Sequence, residues 1–354
     1  PPLPVTPPPQ RPTEPSPKSA TAGPLFNMAS IFARQGVQSL ADDSFTRCFM
    51  SKKVRPWSWN CYLFPAYCAG VLVRYFVLFP LRLFALVLGL IAFAIGFSTV
   101  KFCCGSCKAN QGRLERKLIR FLCSVFVMSW SGVVAFHGVQ PQPKKGQPQG
   151  MSSMLVACIF VANHSSMIDF IVLQQSNSYA VVGQEHVGWV AFFQKKVLNC
   201  LQCVWFNRGE TANRQLVAAK LAEHVADATR VPMLVFPEGT CVNNEYIVQF
   251  KKGVFELGVP VCPIAIKYNK LFVDAFWNSR KQSFAQHLLT LMTSWCVVCD
   301  VWFLEPMSAL PGESGADFAR RVQLKIAKRA GLKAVDWDGY MKYWKPSARF
   351  ISVG

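Results

Sequence analysis

The run CYLFPAYCAGVLVRYFVLFPLRLFALVLGLIAFAIGFSTV, Cys61 to Val100, carries two charged side chains, Arg74 and Arg82. A helix with so little polar face must be covered on nearly all sides, by protein or by lipid, and this is the first constraint on the fold. Leu83 to Val100 alone would rise about 27 Å as a helix, near the thickness of a bilayer's hydrocarbon core. Pro80 and the two arginines interrupt the longer run, which predicts two adjoining helices or a re-entrant hairpin rather than one clean span. The basic stretch KANQGRLERKLIR follows, then a second apolar run from Phe121 to Phe136. Basic residues on both sides of the first run leave its orientation open.

The chain has 354 residues, enough for a full core in one large or two modest domains. Its 51% apolar content, with 28 Phe and 10 Trp, coexists with a formal charge of +19, which fits a membrane-associated protein facing anionic partners. No compact Lys/Arg block or aromatic module of a nucleic-acid binder is present, so no nucleic-acid partner is expected. The 14 cysteines are scattered, and Cys68, Cys123, Cys158 and Cys262 lie inside apolar runs, which suits reduced thiols better than disulfides. Cys104/Cys107, Cys200/Cys203 and Cys296/Cys299 have metal-like spacing, but the last two pairs sit against strand-like runs, and no metal is expected. Cys103, Cys104 and Cys107 beside the apolar run are candidates for acylation at a membrane. Pro1, without an initiator methionine or signal peptide, reads as an internal or processed start with a segment upstream.

Composition divides the chain. Residues 1–24, with PPPQRPTEPSP, read as a disordered or extended proline-rich arm, and 25–60 as a regulatory or surface segment. Residues 61–140 read as a membrane-associated helical region. The linker PQPKKGQPQG then opens an α/β domain over 141–345, followed by a tail, 346–354. Strands are expected at Met154–Ala162, Tyr179–Gly183, Cys203–Phe206, Met233–Phe236, Val261–Tyr268 and Cys296–Leu304. Helices are expected at Ala212–Ala228, Ser283–Met292 and Ala316–Ala330. The fold class is α/β, a mixed sheet with flanking helices, preceded by the N-terminal membrane-associated helices.

Polar residues cluster where strands end. In FVANHSSMIDF, His164 and Asp169 stand five positions apart, about 140° around an ideal helix, so they cannot share one helical face. They meet if His164 precedes a helix and Asp169 lies in its first turns, with Ser165 or Ser166 near the cap. Asp169 would then hold one ring nitrogen and leave the other to accept a proton. FPEGT, Phe236 to Thr240, follows the apolar MLV and offers a tight turn whose backbone N–H groups can face an anion. There is no GxSxG elbow and no glycine-rich nucleotide fingerprint.

NHSSMID (Asn163 and His164 through Asp169), VWFNRGE at 204–210, FPEGT at 236–240 and VPVCPIAI at 259–266 resemble, in order, the four motifs of the glycerolipid acyltransferase family. The likeness is closest to the endoplasmic-reticulum glycerol-3-phosphate acyltransferases of animals and plants, through FPEGTCVNN, FKKGVFELG, IKYNKLFVDAFWNS, MTSWCVVCDVW and WDGYMK. It covers about residues 55–345.

The resemblance implies that His164 is the general base and Asp169 its orienting partner. Arg208 would bind the acceptor phosphate, with Glu238, Gly239 and Thr240 shaping the acceptor site and Pro263 supporting the cavity. Asn207 departs from the acidic residue usual beside that arginine. Lys251, Lys252 and Lys267 could add positive potential for phosphate and CoA, or simply form a solvated face. The implied reaction joins long-chain acyl-CoA, a substrate, to glycerol-3-phosphate at a lipid bilayer, with no cofactor, on the cytosolic face of the endoplasmic reticulum. A lysophospholipid acceptor and an inactive membrane scaffold stand as alternatives, and no feature speaks to oligomeric state.

Overall fold

The computed structural model describes residues 47–51, 61–103, 108–140, 158–185, 188, 191, 193–206, 213–227 and 229–342. The proline-rich arm, most of 25–60, the linker PQPKKGQPQG, Cys104, Cys107 and the tail lie outside these residues. The chain divides into two units, 1–47 and 48–354, and the elements below belong to the second.

The first apolar run forms one helix, α1 (Phe64–Cys103), 40 residues long and apolar enough to cross a membrane. The expected break at Pro80 does not occur. Residues Val73–Leu78 are wound as a π-helix, and Pro80 falls just inside the α-helical segment that follows, Phe79–Cys103. The wider turn accommodates a residue with no N–H to donate. Most of α1 remains uncovered by protein, with Phe76, Leu81, Phe84, Ile91 and Ile95 exposed.

Arg82 also does not break the helix; it docks it. Its side chain is buried, and Nη1 donates to the carbonyls of Met292 (2.6 Å) and Ser294 (2.5 Å) while Nη2 donates to that of Trp295 (2.5 Å). Nε and Nη2 also reach Ser131 Oγ at 3.0 and 2.7 Å. Those carbonyls lie at and just past the end of α5 (Phe284–Met292), where a helix leaves acceptors unsatisfied and carries partial negative charge. The helix α2 (Lys108–Ser129) packs along α1 at Gly89, where a Cβ would stand 2.3 Å from Val125 Cγ1.

The second apolar run, Phe121 to Phe136, is divided between two elements. α2 ends at Ser129, Ser131 takes a left-handed conformation (φ 48°), and strand β1 (Gly132–His137) begins. A cap of this kind leaves no mark in an apolarity profile. β1 joins β2 (Ile159–Ala162), β3 (Ala180–Gln184), β4 (Val204–Phe206), β5 (Met233–Val235), β7 (Val261–Asn269) and β8 (Val297–Phe303) in a seven-stranded sheet of order β1-β8-β7-β2-β5-β3-β4. Every neighbouring pair is parallel except β7 and β8. The short β6 (Tyr246–Ile247) and β9 (Lys333–Ala334) pair separately.

Parallel strands are covered on both faces and read as unbroken apolar runs, as IFVA of β2 does. Its side chains alternate: Phe160 and Ala162 enter one core with α2, α3 (Ile168–Ser176) and α5, while Ile159 and Val161 enter the other with α4 (Asn213–Ala226) and α6 (Gly315–Ala330). Ser314 caps α6 and Gly331 (φ 61°) ends it. Since β2 and β5 are parallel neighbours, the loops after them emerge together at the carboxyl end of the sheet, the usual place for a site in such folds.

Arg82→Leu leaves three backbone carbonyls and a serine at the α1–α5 junction without their cation. The expected loss is about 3 kcal/mol, read as a lower unfolding midpoint in detergent. An unchanged midpoint would contradict the docking role.

Candidate active site

β2 ends at Ala162, and His164 follows before α3 begins at Ile168, so Asp169 lies in the first turn of that helix. The chain reversal closes the five-residue gap: His164 Nδ1 donates to Asp169 Oδ2 at 2.9 Å. Neither serine caps α3 through its hydroxyl. Instead the backbone N–H groups of Ser165 (2.7 Å) and Ser166 (3.0 Å) also donate to Asp169 Oδ2, so the carboxylate serves as the acceptor at the helix start. The other oxygen, Oδ1, accepts from Tyr268 Oη at 2.6 Å. Asp169 is 0% exposed and the His164 side chain 13%. In the neutral ring, with Nδ1–H held by the carboxylate, Nε2 carries the lone pair.

Burial works to lower the His164 pKa, but the Cys241 sulfur and the bond to Asp169 outweigh it and hold the imidazole well above its ordinary value. Phe236 stacks on the ring, centroids 4.4 Å apart, and Cys241 Sγ lies 3.4 Å from Nε2. Cys241 is a residue the sequence reading did not single out.

The turn after β5 grips the backbone of His164 from two sides. Glu238 Oε1 accepts from His164 N–H at 2.6 Å, and Val242 N–H donates to the His164 carbonyl at 2.8 Å. Glu238 Oε2 accepts from Val248 N–H at 3.0 Å. Glu238 is buried with both oxygens bonded to backbone, so it ties the His164 loop to the chain at Val248. Gly239 has φ 64°, a conformation only glycine adopts without strain, and Lys251 Nζ lies 3.1 Å from where a Cβ would be. Thr240 is buried, its Oγ1 accepting from Lys342 Nζ at 3.0 Å.

A second layer fixes these groups, and little of it was visible in the sequence. Asn163 continues the sheet with its side chain: Oδ1 accepts from Ile266 N–H (2.8 Å) and Nδ2 donates to Ile266 O (2.9 Å). Asn244 joins Ser165 Oγ (2.9 Å) to Tyr268 N–H (2.7 Å). Burial and the Asp169 carboxylate hold the Tyr268 phenol well above its ordinary range, so it remains a donor. His287, on α5, has its pKa pushed down to about 4 by burial. Its Nδ1 accepts from Gln282 Nε2 (3.2 Å), which leaves Nε2–H to donate to Ser166 Oγ (3.0 Å). His287 lies 121 positions from its partner, so no local pattern could reveal it.

The remaining expected residues are dispersed. Arg208, with Asn207, lies outside the described residues; β4 ends just before it, at Phe206. Lys252 is exposed and paired with Glu256 at 2.8 Å. Lys267 Nζ donates to Asn244 O at 2.7 Å, and burial followed by Lys270 lowers its pKa. Pro263 sits inside the sheet opposite Val161, with its carbonyl accepting from Leu304 N–H. Val261 exchanges both backbone bonds with Met307 on that same side, so pairing continues beyond the proline, which has no N–H of its own to give. Cys200 and Cys203 are free, as are Cys296 and Cys299.

Tyr268→Phe removes a donor from a fully buried carboxylate oxygen. A stability loss of about 1–3 kcal/mol is expected from unfolding in detergent, and none would argue against that bond. Glu238 offers a test by pH. Burial pushes its carboxyl from 4.5 up to about 8, against the pull of the His164 and Val248 N–H groups. Between those two values the folded chain holds a proton that the unfolded chain has released, so this group lowers stability as pH rises through the window. Glu238→Gln should flatten that part of the stability–pH curve; an unaltered slope would contradict the buried carboxyl.

With this geometry in place, three comparisons bear on the chain's family. The profile of the Acyltransferase family matches residues 135–267, which include the end of β1, the His164 loop, the Glu238 turn and most of β7. Glycerol-3-phosphate acyltransferase 3 of Mus musculus is 38% identical over 347 residues, covering 94% of this chain and 76% of its own length. Glycerol-3-phosphate acyltransferase 4 of Homo sapiens is 36% identical over 352 residues, covering 95% and 74%. The crystal structure of the 1-acyl-sn-glycerophosphate acyltransferase PlsC from Thermotoga maritima superposes with a TM-score of 0.51 at 18% identity, covering 73% of this chain and 96% of that one, a likeness of fold alone. The chain belongs to the acyltransferase family, among relatives of the animal glycerol-3-phosphate acyltransferases 3 and 4.

Proposed function

We propose that this protein transfers a long-chain acyl group from acyl-CoA to the sn-1 hydroxyl of glycerol-3-phosphate, forming 1-acyl-glycerol-3-phosphate and CoA. The observation that carries the reading is the histidine at a strand end whose Nδ1 is held by a fully buried aspartate, 2.9 Å away, in relatives' company bearing that activity in their names. His164 Nε2 takes the hydroxyl proton as the oxygen attacks the thioester, and Asp169 stabilises the imidazolium that forms. CoA leaves as a thiolate of pKa about 8–9 and needs no strong acid, so no cofactor enters the scheme. Tyr268 and Glu238 act as positioning residues, one on the carboxylate and one on the backbone of His164.

Arg208 suits the acceptor phosphate because its planar fork donates in pairs and stays charged. Lys251, beside the Gly239 turn, adds positive potential there. The exposed apolar flank of α1 belongs in a lipid bilayer, which also receives an acyl chain at about 0.8 kcal/mol per buried methylene. In this reading the membrane is that of the endoplasmic reticulum, with the site facing the cytosol.

The test is acyl transfer from a labelled long-chain acyl-CoA by detergent-purified protein, with glycerol-3-phosphate and lysophosphatidic acid offered in parallel. Product from glycerol-3-phosphate is expected, and His164→Ala should lower its rate by about 10²–10⁴-fold. Transfer to the lyso-lipid alone would move the acceptor, and transfer to neither would overturn the reading. Only neutral His164 can act as base, and its pKa is held well above 6.5, so the rate should climb with pH through an apparent pKa above that value. A pH-independent rate across that range would contradict the role of His164.

A further inference from the structure

Between Asp274 and Asp300 the chain has no acidic residue, and its only lysine or arginine side chains there, Arg280 and Lys281, stand just before α5. One side of α5 is core, with His287, Leu291 and Met292 buried. The other side, with Ala285, Gln286, Leu289 and Thr290, is open. A surface helix ordinarily carries charge on its open side, and this one carries none. Even its polar groups turn back on the helix. Gln286 Oε1 accepts from Ser283 N–H at 2.9 Å and closes the cap. Thr290 Oγ1 donates to the Gln286 carbonyl at 2.9 Å, and Thr293 Oγ1 to that of Leu289 at 2.8 Å. Hydroxyls bonded to their own helix need no water, and Thr99 on the apolar α1 does the same, donating to the Ile95 carbonyl at 2.9 Å.

The apolar surface continues past both ends of α5. The loop from β7 exposes Leu271 and Phe272, and Trp295 is exposed just beyond the last turn. Trp295 is also where this surface meets α1. Its ring lies 3.0 Å from where a Cβ on Gly70 would stand, and the Arg74 guanidinium is 5.8 Å from the ring centre. Singly exposed apolar residues are ordinary on soluble proteins, but an uncharged helix face that runs on into an uncovered apolar helix is not.

We propose that α5, with Leu271, Phe272 and Trp295 at its flanks, is a second membrane-contact surface, lying in the plane of the bilayer that holds α1 and taking anionic headgroups at Arg280 and Lys281. The inference rests on reading α1 as a membrane helix. Nine residues of helix rise about 13 Å, far short of a bilayer core, so α5 lies along the interface and does not cross it. A tryptophan beside an arginine marks the headgroup level at its end. Arg280 and Lys281 are exposed, with no ion pair among the described residues. They precede the positive end of the helix dipole, so the helix itself gives no reason for cations there, whereas lipid phosphates do. On the covered side His287 donates to Ser166, so a single helix stands between the lipid and the loop that holds Asp169. An acyl chain then moves between leaflet and site without crossing bulk water.

The test needs no acyl transfer, so its outcome is separate from that of the enzymatic reading. Purified full chain is placed in nanodiscs of phosphatidylcholine and phosphatidylglycerol with a trace of phosphatidylcholine bearing a diazirine near the top of one acyl chain. After irradiation the labelled residues are mapped by peptide fragmentation. Label is expected on Leu271, Phe272 and the open side of α5 as well as on α1. Label on α1 with none on α5 would overturn this surface and leave α1 in the membrane; label on neither would overturn both. Cross-links from α5 of one chain to another chain, without lipid label on α5, would assign the face to a second copy and overturn the proposal. Leu289→Glu, an exposed position, should lose the α5 label at an unchanged unfolding midpoint, and retained label would count against the surface. In wild type the α5 label should be stronger with phosphatidylglycerol than in phosphatidylcholine alone, and Arg280→Gln with Lys281→Gln should abolish that difference. Equal labelling of wild type in the two lipids would overturn the headgroup assignment.

Discussion

A carboxylate with no exposure to water must be bonded on all sides, and the site is organised around meeting that demand at Asp169. Leaving such a charge unpaired in the interior would cost several kcal/mol. Four donors answer it: His164 Nδ1, the N–H groups of Ser165 and Ser166, and the Tyr268 hydroxyl. Each does a second job. The two serine N–H groups start α3, Tyr268 ties in β7, and the His164 ring is held with Nε2 toward Cys241 Sγ, 3.4 Å away. The orientation of the imidazole is thus a by-product of satisfying a buried charge.

Loops at strand ends are ordinarily less rigid than the strands, while acyl transfer demands positioning to a fraction of an ångström. Here the loops are stitched to distant parts of the chain. Glu238 and Val242 hold both backbone groups of His164. Asn243 donates its N–H to the Cys48 carbonyl and its Nδ2–H to that of Met50, and Lys342 donates to Thr240 and Cys241 from the other end of the unit. α5 links the site to the apolar helix: His287 on α5 donates to Ser166, and the carbonyls at its end accept from Arg82 of α1.

The α/β alternation and the strands beside the polar clusters were legible because buried parallel strands write themselves as short apolar runs. The approach of His164 to Asp169 was legible for a local reason, since a five-residue gap at a strand-to-helix junction has few ways to close. Tyr268, Asn244 and His287 were not, because their partners lie on other strands and helices. Arg82 and Pro80 misled for a related cause: both look like breaks along the chain, but a π-turn absorbs one and a helix end far away in sequence engages the other. FPEGT marked Glu238 as a site residue, but not the two backbone bonds by which its buried carboxyl ties the loops together. Sequence displays residue type and spacing, while the direction in which a side chain spends its hydrogen bonds is set by tertiary packing.

The central claim is that His164 Nε2 receives the proton of the acceptor's sn-1 hydroxyl. A structure of the protein in lipid nanodiscs with glycerol-3-phosphate and a thioether analogue of acyl-CoA tests it most directly. The account predicts the sn-1 oxygen about 3 Å from Nε2, with Asp169 still bonded to Nδ1. An acceptor bound with its hydroxyl turned away from His164, or an imidazole released from Asp169 in the complex, would contradict it.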